Sequence, residues 1–417
     1  MNEMRSIVET ANGRLGTYAP AESTLDRRSA TVPAVRIRVS GSLREVEAAW
    51  RTIEAEGRGT VFQTFDFASV WQKSIGVARG VRPAIVLVSG DRGTLALLPL
   101  AVSGGLVRRL TWLGQEIFDY LGPLLTRDFT QSIPAECFAD LWQEIRSLLQ
   151  QDARFRHDLI DLRRMPEEIG GERNPFVALP VSRHPSNGYV ATLRGPWDDF
   201  YRDRRSAKAR KQDRSKLRRL EELGPVDVFT AEDRATAEQL LNTLFKQKAE
   251  TFRRKGIGGF VKKPACCAFF RELALGPRTT DMVHLSALRV GPKLAAINLA
   301  VEQASRYSLL QVSYDEEFAR FSPGAIHLTE LFRRAIDRGL REFDFLVGYQ
   351  RLKHEWSDRE IPLFDHLAPA TVRGILPVAA IRLASTAKRY IKQDERRWTT
   401  FQNFRARAGA LRSLLSL

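Results

Sequence analysis

The order of predicted secondary-structure elements repeats once along this 417-residue chain, and the repeat restricts the fold more than any other feature. In the second half, Val283 to Val290 alternates as a strand, turns, and returns through Lys293 to Glu302 as the partner of a hairpin. Tyr307 to Tyr314 follows as a third strand. An amphipathic helix and a strand from Arg341 to Val347 come next. The predicted order is β-β-β-α-β.

The first half repeats this order, and one acidic residue repeats with it. Asp161 occupies the place in its strand that Asp344 occupies in the last strand of the second half. We therefore predict an α/β (α+β) fold of two tandem copies, each a mixed, mostly antiparallel sheet flanked by helices. The first copy consists of strands Ala84 to Val88, Thr94 to Val102 and Leu110 to Leu113, a helix from Ala135 to Leu149 and a strand from His157 to Arg163.

Helical segments precede each hairpin, and a stretch rich in Pro, Gly and Ser separates the two copies. The predicted helices are Ser42 to Glu56, Phe65 to Lys73, Asp198 to Leu223 and Ala231 to Arg254. The predicted segments are a flexible N-terminal lead (1–35), a first domain (36–185), a second domain (186–370) and a basic amphipathic helical tail (371–417). Pro377 is expected at or before the start of the tail helix, not inside it.

The chain carries a formal net charge of +16, which implies an acidic partner: nucleic acid, anionic lipid or a phosphorylated substrate. Two blocks hold much of this charge, from Tyr201 to Leu220 and from Thr371 to Leu417. The first block has no aromatic residue between Tyr201 and Phe229 for stacking on bases. We therefore favour contact with an anionic substrate over tRNA, and expect Lys246, Gln247 and Lys248 on the same face.

Several classes of protein are excluded by composition. No apolar run approaches the roughly 20 residues that cross a bilayer, and the N-terminus lacks the apolar core of a signal peptide. The three cysteines have no metal or disulfide spacing, which favours a reducing cytoplasm. Six scattered histidines form no HExxH-type motif, so no metal is expected.

The helix of the second copy begins with a Ser-Pro-Gly turn that suits an anion. Ser322 is expected to cap the helix, Pro323 fits its first position, and Gly324 leaves the backbone open to a ligand. Unpaired N–H groups and the helix dipole both favour a phosphate there. The competing interpretation is an ordinary capped helix.

A meander, a helix with a phosphate-binding N-terminus and a further strand resemble the core of the GNAT acyl-CoA N-acyltransferase fold. From about residue 45 to 370 the chain resembles the acetyltransferases linked to bacterial cellulose and exopolysaccharide synthesis. These are related to the Fem-type peptidoglycan aminoacyl transferases. The matching stretches are Val61 to Trp71, Leu97 to Leu100, Leu113-Gly114 with Asp119-Tyr120, Arg204 to Gly224, and Ser322 to Trp356.

This resemblance implies direct attack of an acceptor on the thioester of acetyl-CoA or another acyl-CoA. The implied catalytic residues are Asp344, Tyr349, Lys353 and Asp119. A pair that is usually adjacent in the family is separated here into Tyr349 and Lys353, and Asp344 has a competing interpretation as a buried structural carboxylate. The implied acyl-CoA contacts are Val312, Arg320, Phe321, Ser322, Gly324, Ala325 and Ile326.

The predicted function is acyl transfer, with acetyl as the favoured group, to an amine or hydroxyl of a polysaccharide or cell-envelope precursor. One alternative is a Fem-like transferase that uses aminoacyl-tRNA, and another is a non-catalytic scaffold of a polysaccharide-synthesis complex. The tail is expected either on an anionic membrane surface or packed across the two halves. The predicted location is the cytoplasm, with the inner face of the membrane as a peripheral alternative.

Overall fold

A computed structural model describes residues 25–30, 32, 35–56, 59–256, 259–348 and 351–392. The strands are β1 (Leu25–Arg28), β2 (Arg36–Ser40), β3 (Arg82–Gly90), β4 (Gly93–Ser103), β5 (Arg109–Trp112), β6 (Leu124–Leu125), β7 (Leu159–Pro166), β8 (Glu168–Ile169), β9 (Glu172–Arg173), β10 (Val181–Arg183), β11 (Gly188–Thr192), β12 (Val226–Thr230), β13 (Val283–Val290), β14 (Lys293–Gln303), β15 (Arg306–Tyr314), β16 (Glu342–Val347), β17 (Arg359–Ile361) and β18 (Leu363–Pro369). The helices are α1 (Leu43–Glu54), α2 (Phe65–Trp71), α3 (Phe129–Ser132), α4 (Phe138–Gln151), α5 (Trp197–Arg204), α6 (Ala207–Glu221), α7 (Arg234–Arg254), α8 (Pro264–Leu275), α9 (Pro323–Asp337), α10 (Arg351–Trp356) and α11 (Val372–Lys392).

The duplicated order is confirmed: β3, β4, β5, α4 and β7 correspond to β13, β14, β15, α9 and β16. In each copy the strand after the helix pairs in parallel with the third strand of the meander, Leu110 opposite Ile160 and Tyr307 opposite Phe343. Asp161 and Asp344 are each the third residue of their strand. The predicted tandem α/β fold with two mixed sheets is therefore correct.

The two sheets are not built from two consecutive stretches of chain. The first has the order β1-β2-β3-β4-β5-β7-β18-β10, with β6 added beside β4, and the second has the order β12-β13-β14-β15-β16-β11-β17. Strand β18 leaves the second half and pairs with β7, with Pro369 opposite Leu159 and Leu363 opposite Pro166. The predicted division into 36–185 and 186–370 therefore omits this return of the chain.

A shared core joins the two halves. Phe67 on α2 packs edge-on against Phe269 on α8, with ring centroids 5.5 Å apart. Phe118 contacts both rings. A separate aromatic stack consists of Phe332 on α9, Phe343 on β16 and Trp356 on α10. Rigid aromatic packing of this kind fixes the relative position of the elements that it joins.

Three local predictions are corrected. The helix predicted over Asp198 to Leu223 is two helices, because Arg205 is extended and Ser206 starts α6 with its Oγ accepting the N–H of Ala209 at 3.2 Å. Pro377 lies inside α11 and not at its start. The predicted N-terminal lead contains β1, which pairs with β2; residues 1–24, and residues 393–417 of the predicted tail, lie outside the described part of the chain.

Candidate active site

Strands β15 and β16 separate part-way along their length, and a cavity lies between them. They pair in parallel only from Arg306 to Ser308 with Glu342 to Asp344. Beyond this point Leu310 is an extra residue in β15 relative to β14, and Leu346 in β16 adopts a positive φ of 60°. Both irregularities turn the strands away from regular pairing. The gap is a cavity of about 140 Å³ that reaches the first turn of α9.

The cavity wall is mostly apolar, with three basic side chains set into it. Lys248 comes from α7, His327 from α9 and Lys353 from α10. Val312 and Gly324, both predicted to contact the donor, lie on the same wall. A narrow apolar slot with a few polar groups is the form that small-molecule sites commonly take. The remaining lining residues are Leu309, Leu310, Leu328, Leu331, Phe345 and Leu352.

The first turn of α9 differs from the predicted capped helix. Ser322 is in the left-handed conformation with φ 56°, and its side chain caps nothing. Its carbonyl instead accepts the N–H groups of Ala325 at 2.9 Å and Ile326 at 3.3 Å. The prediction that the Ser322 hydroxyl caps this helix is therefore wrong. The turn still offers an anion the positive end of the helix dipole, and a side chain at Gly324 would meet only open space.

Basic side chains surround this helix terminus. Phe321, predicted as a donor contact, is 4% exposed and belongs to the core. The guanidinium groups of Arg320 and Arg219 lie over its ring, 4.6 and 5.6 Å from the centroid. Beside them is a groove of about 490 Å³ between α6 and α9. Its wall includes Arg210, Arg214 and Lys216 from α6 and Ala325 and Ile326 from α9.

Asp344 is held from three directions and is closed to solvent. Its carboxylate accepts the N–H of Leu346 at 2.8 Å and the hydroxyl of Tyr120 at 2.9 Å, and it pairs with Arg306 at 3.2 Å. Burial raises the pKa of Asp344, while the Arg306 guanidinium acts in the opposite direction. Because Tyr120 belongs to the first half, this contact joins the two copies at the site.

Asp119 and Lys353 lie near this contact, and Lys353 also lines the cavity. Asp119 is partly exposed and accepts the N–H of Val347 at 3.3 Å. Burial raises its pKa, and the charges of Arg164 and Lys353 lower it. Lys353 donates to the carbonyl of Phe345 at 2.6 Å, and burial lowers its pKa against the influence of Asp119 and Asp344. Of the four predicted catalytic residues, these three converge; Tyr349 lies outside the described residues.

A cleft between the two halves also reaches the residues around Asp344. This cleft of about 480 Å³ runs between the halves, from Thr60 and Tyr120 in the first to Arg306, Ser308 and Glu342 in the second. Tyr120 and Arg306 therefore contact both the cleft and Asp344. The cleft is thus linked to Asp344 through Tyr120 and Arg306, and the cavity between the strands is linked to it through the charge of Lys353.

Two residues of the site were not recognised in the sequence as lining it. Lys248 was expected on the basic face with Gln247, but Gln247 is buried and accepts the hydroxyl of Ser313 at 2.7 Å, so Lys248 turns toward the cavity. Burial lowers the pKa of Lys248 to about 8. His327 is completely buried, its Nε2 lies 3.1 Å from Ser286 Oγ, and its Nδ1 has no partner among the described residues. Helical spacing alone offered no signal for either.

Comparison with known proteins gives the same picture of the fold. Residues 207–354, from the start of α6 into α10, match the family model of an acetyltransferase (GNAT) domain. The structure of FemX is similar with a TM-score of 0.53 and 10% identity, covering 78% of this chain and 96% of that one. No curated protein matches.

Two further structures are similar at lower scores. The structure of L-PGS from Bacillus licheniformis has a TM-score of 0.46 at 13% identity, covering 81% of this chain and 96% of the other. A tandem GNAT protein from the clavulanic acid biosynthesis pathway has a TM-score of 0.42 at 11% identity, covering 81% and 98%. The second half of this chain thus carries an acetyltransferase (GNAT) domain, set in a tandem α/β fold like that of FemX.

Proposed function

We propose that this protein transfers an acyl group from acyl-CoA, acetyl being the favoured group, to an amine or hydroxyl of a polysaccharide or cell-envelope precursor in the cytoplasm. One observation carries the proposal. The cavity between β15 and β16 opens at the first turn of α9, and Lys353 connects it to the carboxylates of Asp119 and Asp344. A donor in the cavity and an acceptor in the cleft would meet at these residues.

The residues divide the chemistry among them. Lys353, which lines the cavity, would in its ammonium form stabilise the negative charge that develops on the thioester oxygen. Asp119, partly exposed and with a raised pKa, would accept the proton of the attacking group. Asp344 is closed to solvent, so we assign it the positioning of Tyr120 and Arg306 and no proton transfer. The main contribution of such a site is to hold two substrates in register.

The donor site is tested by Gly324→Asp. A carboxylate at the start of α9 suits the helix dipole, and a side chain there meets open space, so the variant is expected to fold. The same charge would repel the pyrophosphate of acyl-CoA. We expect acetyl-CoA binding, measured by calorimetry, to fall by at least about tenfold, the effect of roughly 1.4 kcal/mol.

Gly324→Ala is the matched control, since it adds a side chain without charge. It should bind acetyl-CoA nearly as the wild type does. Equal affinity of the wild type and Gly324→Asp for acetyl-CoA would show that the donor does not bind at the start of α9. If mass spectrometry and calorimetry find no acyl-CoA bound to the folded wild type, the acyl-CoA proposal fails and the scaffold alternative gains support.

A second candidate is transfer from aminoacyl-tRNA, and the groove between α6 and α9 is the observation that favours it. Seven Lys or Arg residues against two acidic residues lie on α6, and three of the basic side chains line the groove beside the α9 terminus. Such a surface fits a donor with many phosphates. The likeness to FemX concerns the fold and does not choose between donors.

Salt dependence separates the two donors. A tRNA that neutralises several phosphates loses affinity steeply as salt rises, with a logarithmic slope near −0.7 to −0.9 per phosphate. Binding of acetyl-CoA, with far fewer charges, has a shallower slope. The second candidate would replace the first if two results were found together. Charged tRNA would bind with a steep salt dependence that requires the Lys and Arg residues of the groove, and acetyl-CoA would not bind.

A further inference from the structure

Helix α11 presents a row of apolar side chains to solvent. Val372 is 84% exposed, Leu376 80% and Leu383 74%. With Ile375 and Tyr390, they make up five of the ten large apolar side chains that lie exposed among the described residues, so this surface is concentrated on one helix. At about 100° per residue, the first three fall within roughly 40° of one another. An exposed apolar row of this kind marks a contact surface.

The opposite side of α11 is fixed to the first sheet, so the row cannot turn inward. Val378 is buried, and Gly374 approaches the carbonyl of Asp158 so closely that a side chain there would lie 2.0 Å from it. Arg382 donates from Nη2 to the carbonyl of Leu367 at 2.9 Å. The apolar row is consequently held outward by packing and hydrogen bonding.

The charge of α11 is entirely positive. Between Val372 and Lys392 the sequence has no acidic residue. Two copies of the chain placed row to row would bring two such helices together and repel each other. A surface with negative charge around an apolar interior would be attracted instead. The basic residues of the helix are Arg373, Arg382, Lys388, Arg389 and Lys392.

A pocket of about 360 Å³ lies between α11 and the edge of the first sheet. Its two carboxylates are already engaged, Asp161 with Arg163 at 2.7 Å and Asp365 with His184 at 2.9 Å. Arg382 and Arg389 of α11 also line it, and the buried Nε of Arg389 has no partner among the described residues. Guanidinium groups in excess over carboxylates are suited to a phosphate.

We propose that α11 lies on the surface of an anionic phospholipid bilayer. Its apolar row enters the boundary between headgroups and acyl chains, while Arg382 and Arg389 hold a lipid phosphate in the pocket beside it. Among the described residues no helix is long and apolar enough to cross a membrane. The proposal is independent of the acyl donor.

The full chain is tested by sedimentation with vesicles of phosphatidylcholine, with and without phosphatidylglycerol. Wild type should bind the vesicles that contain phosphatidylglycerol, and rising salt should weaken binding. The double variant Leu376→Glu/Leu383→Glu should lose at least about tenfold in partitioning, because both side chains would enter the interface. Leu106→Glu, at a position 97% exposed on the β4–β5 turn, is the matched control and should bind normally.

The phosphate pocket has its own pair of variants. Arg389→Gln and Lys388→Gln remove the same charge from neighbouring positions, but only Arg389 lines the pocket. We expect the larger loss of phosphatidylglycerol preference in Arg389→Gln, and equal losses would refute the headgroup site. Thermal unfolding confirms that each variant is folded.

The membrane proposal as a whole is overturned by any of three results. Wild type fails to bind vesicles, the double variant binds as wild type does, or Leu106→Glu loses as much. The row would instead be assigned to a second copy of the chain by two results together. The wild type would be a dimer in light scattering and would not bind vesicles, and the double variant would be a monomer.

Discussion

Asp119 and Asp344 are carboxylates of one site, but their surroundings differ. Asp344 is fully buried, and its oxygens are held by Tyr120, Arg306 and a backbone N–H. Asp119 is partly exposed and has one weak backbone contact. A carboxylate that exchanges a proton with a substrate must lie where the substrate can reach it. At the residue scale, Asp119 is therefore the better candidate for the base.

Replacing Asp119 by Asn is expected to lower kcat by about 10² to 10⁴-fold with little effect on KM for the donor. Because burial raises the pKa of Asp119, wild-type activity should increase as pH rises through a pKa above the usual carboxylate range, as the base loses its proton. That acidic limb should disappear in the variant. Glu116→Gln, an exposed change in the same loop, is the control and should keep the wild-type rate and pH profile. An unaltered rate in Asp119→Asn would exclude Asp119 as the base.

Lys248 gives a second prediction at this scale. Its ammonium lines the cavity that we propose as the donor site, and burial lowers its pKa to about 8. Donor affinity should therefore weaken as pH rises through about 8, because the ammonium loses its charge. In Lys248→Met this dependence should vanish and affinity at pH 7 should fall by about tenfold, the effect of losing one charge-assisted contact. Lys246→Met, on the exposed side of the helix, should retain both the pH dependence and the donor affinity of the wild type.

At the scale of elements, the boundary between α5 and α6 shows how local chemistry positions the basic helix. Ser206 caps α6, and Arg205 pairs with Asp213 at 3.1 Å and with Glu355 at 2.9 Å. These contacts connect α5, α6 and α10, which carries Lys353. The orientation of the groove wall relative to the cavity thus depends on one short junction.

Ser206→Ala should lower the free energy of unfolding by about 1 kcal/mol, because the first turn of α6 loses its side-chain acceptor. Ser215→Ala, an exposed change within the same helix, should be neutral or slightly stabilising because Ala favours the helix. Urea unfolding at pH 7 measures both. Equal stability of the two variants would show that the cap contributes nothing.

The sequence allowed the repeated elements to be predicted because their hydrophobic periods are local. It also singled out Asp119, Asp344 and Lys353, whose side chains lie near one another in the structure, while their catalytic roles stay predictions. It did not indicate that Ser322 would adopt a left-handed conformation, since a Ser before Pro-Gly is also typical of a cap. The pairing of β18 with β7 could not be predicted either, because strand pairing across about 200 residues leaves no local sequence pattern. Lys248 and His327 come from two helices far apart in the chain, α7 and α9, and line the cavity without sharing any sequence spacing.

For the whole molecule, the contact between Tyr120 and Asp344 joins the two copies beside the cleft that lies between them. A hydroxyl that bonds a buried carboxylate contributes more than an exposed pair does. The shared core around Phe67 and Phe269 supports the same interface. The site therefore depends on both halves being folded and in place.

Tyr120→Phe should destabilise the protein by about 1–3 kcal/mol, because the Asp344 carboxylate loses a donor in a buried position. If the contact acts across the halves, the single variant Asp344→Asn and the double variant should show a coupling energy with Tyr120→Phe in a double-mutant cycle. Urea denaturation measures all four proteins. Strict additivity would mean that the two side chains stabilise the fold independently.

The return of β18 to the first sheet sets the time at which that sheet can be completed during synthesis. Its position between β7 and β10 stays vacant until residue 369 has left the ribosome, long after the first copy has been made. Until then the nascent chain exposes the edge of β7, which is open to pairing with other chains. Expression of the first copy alone would leave that edge without its partner strand.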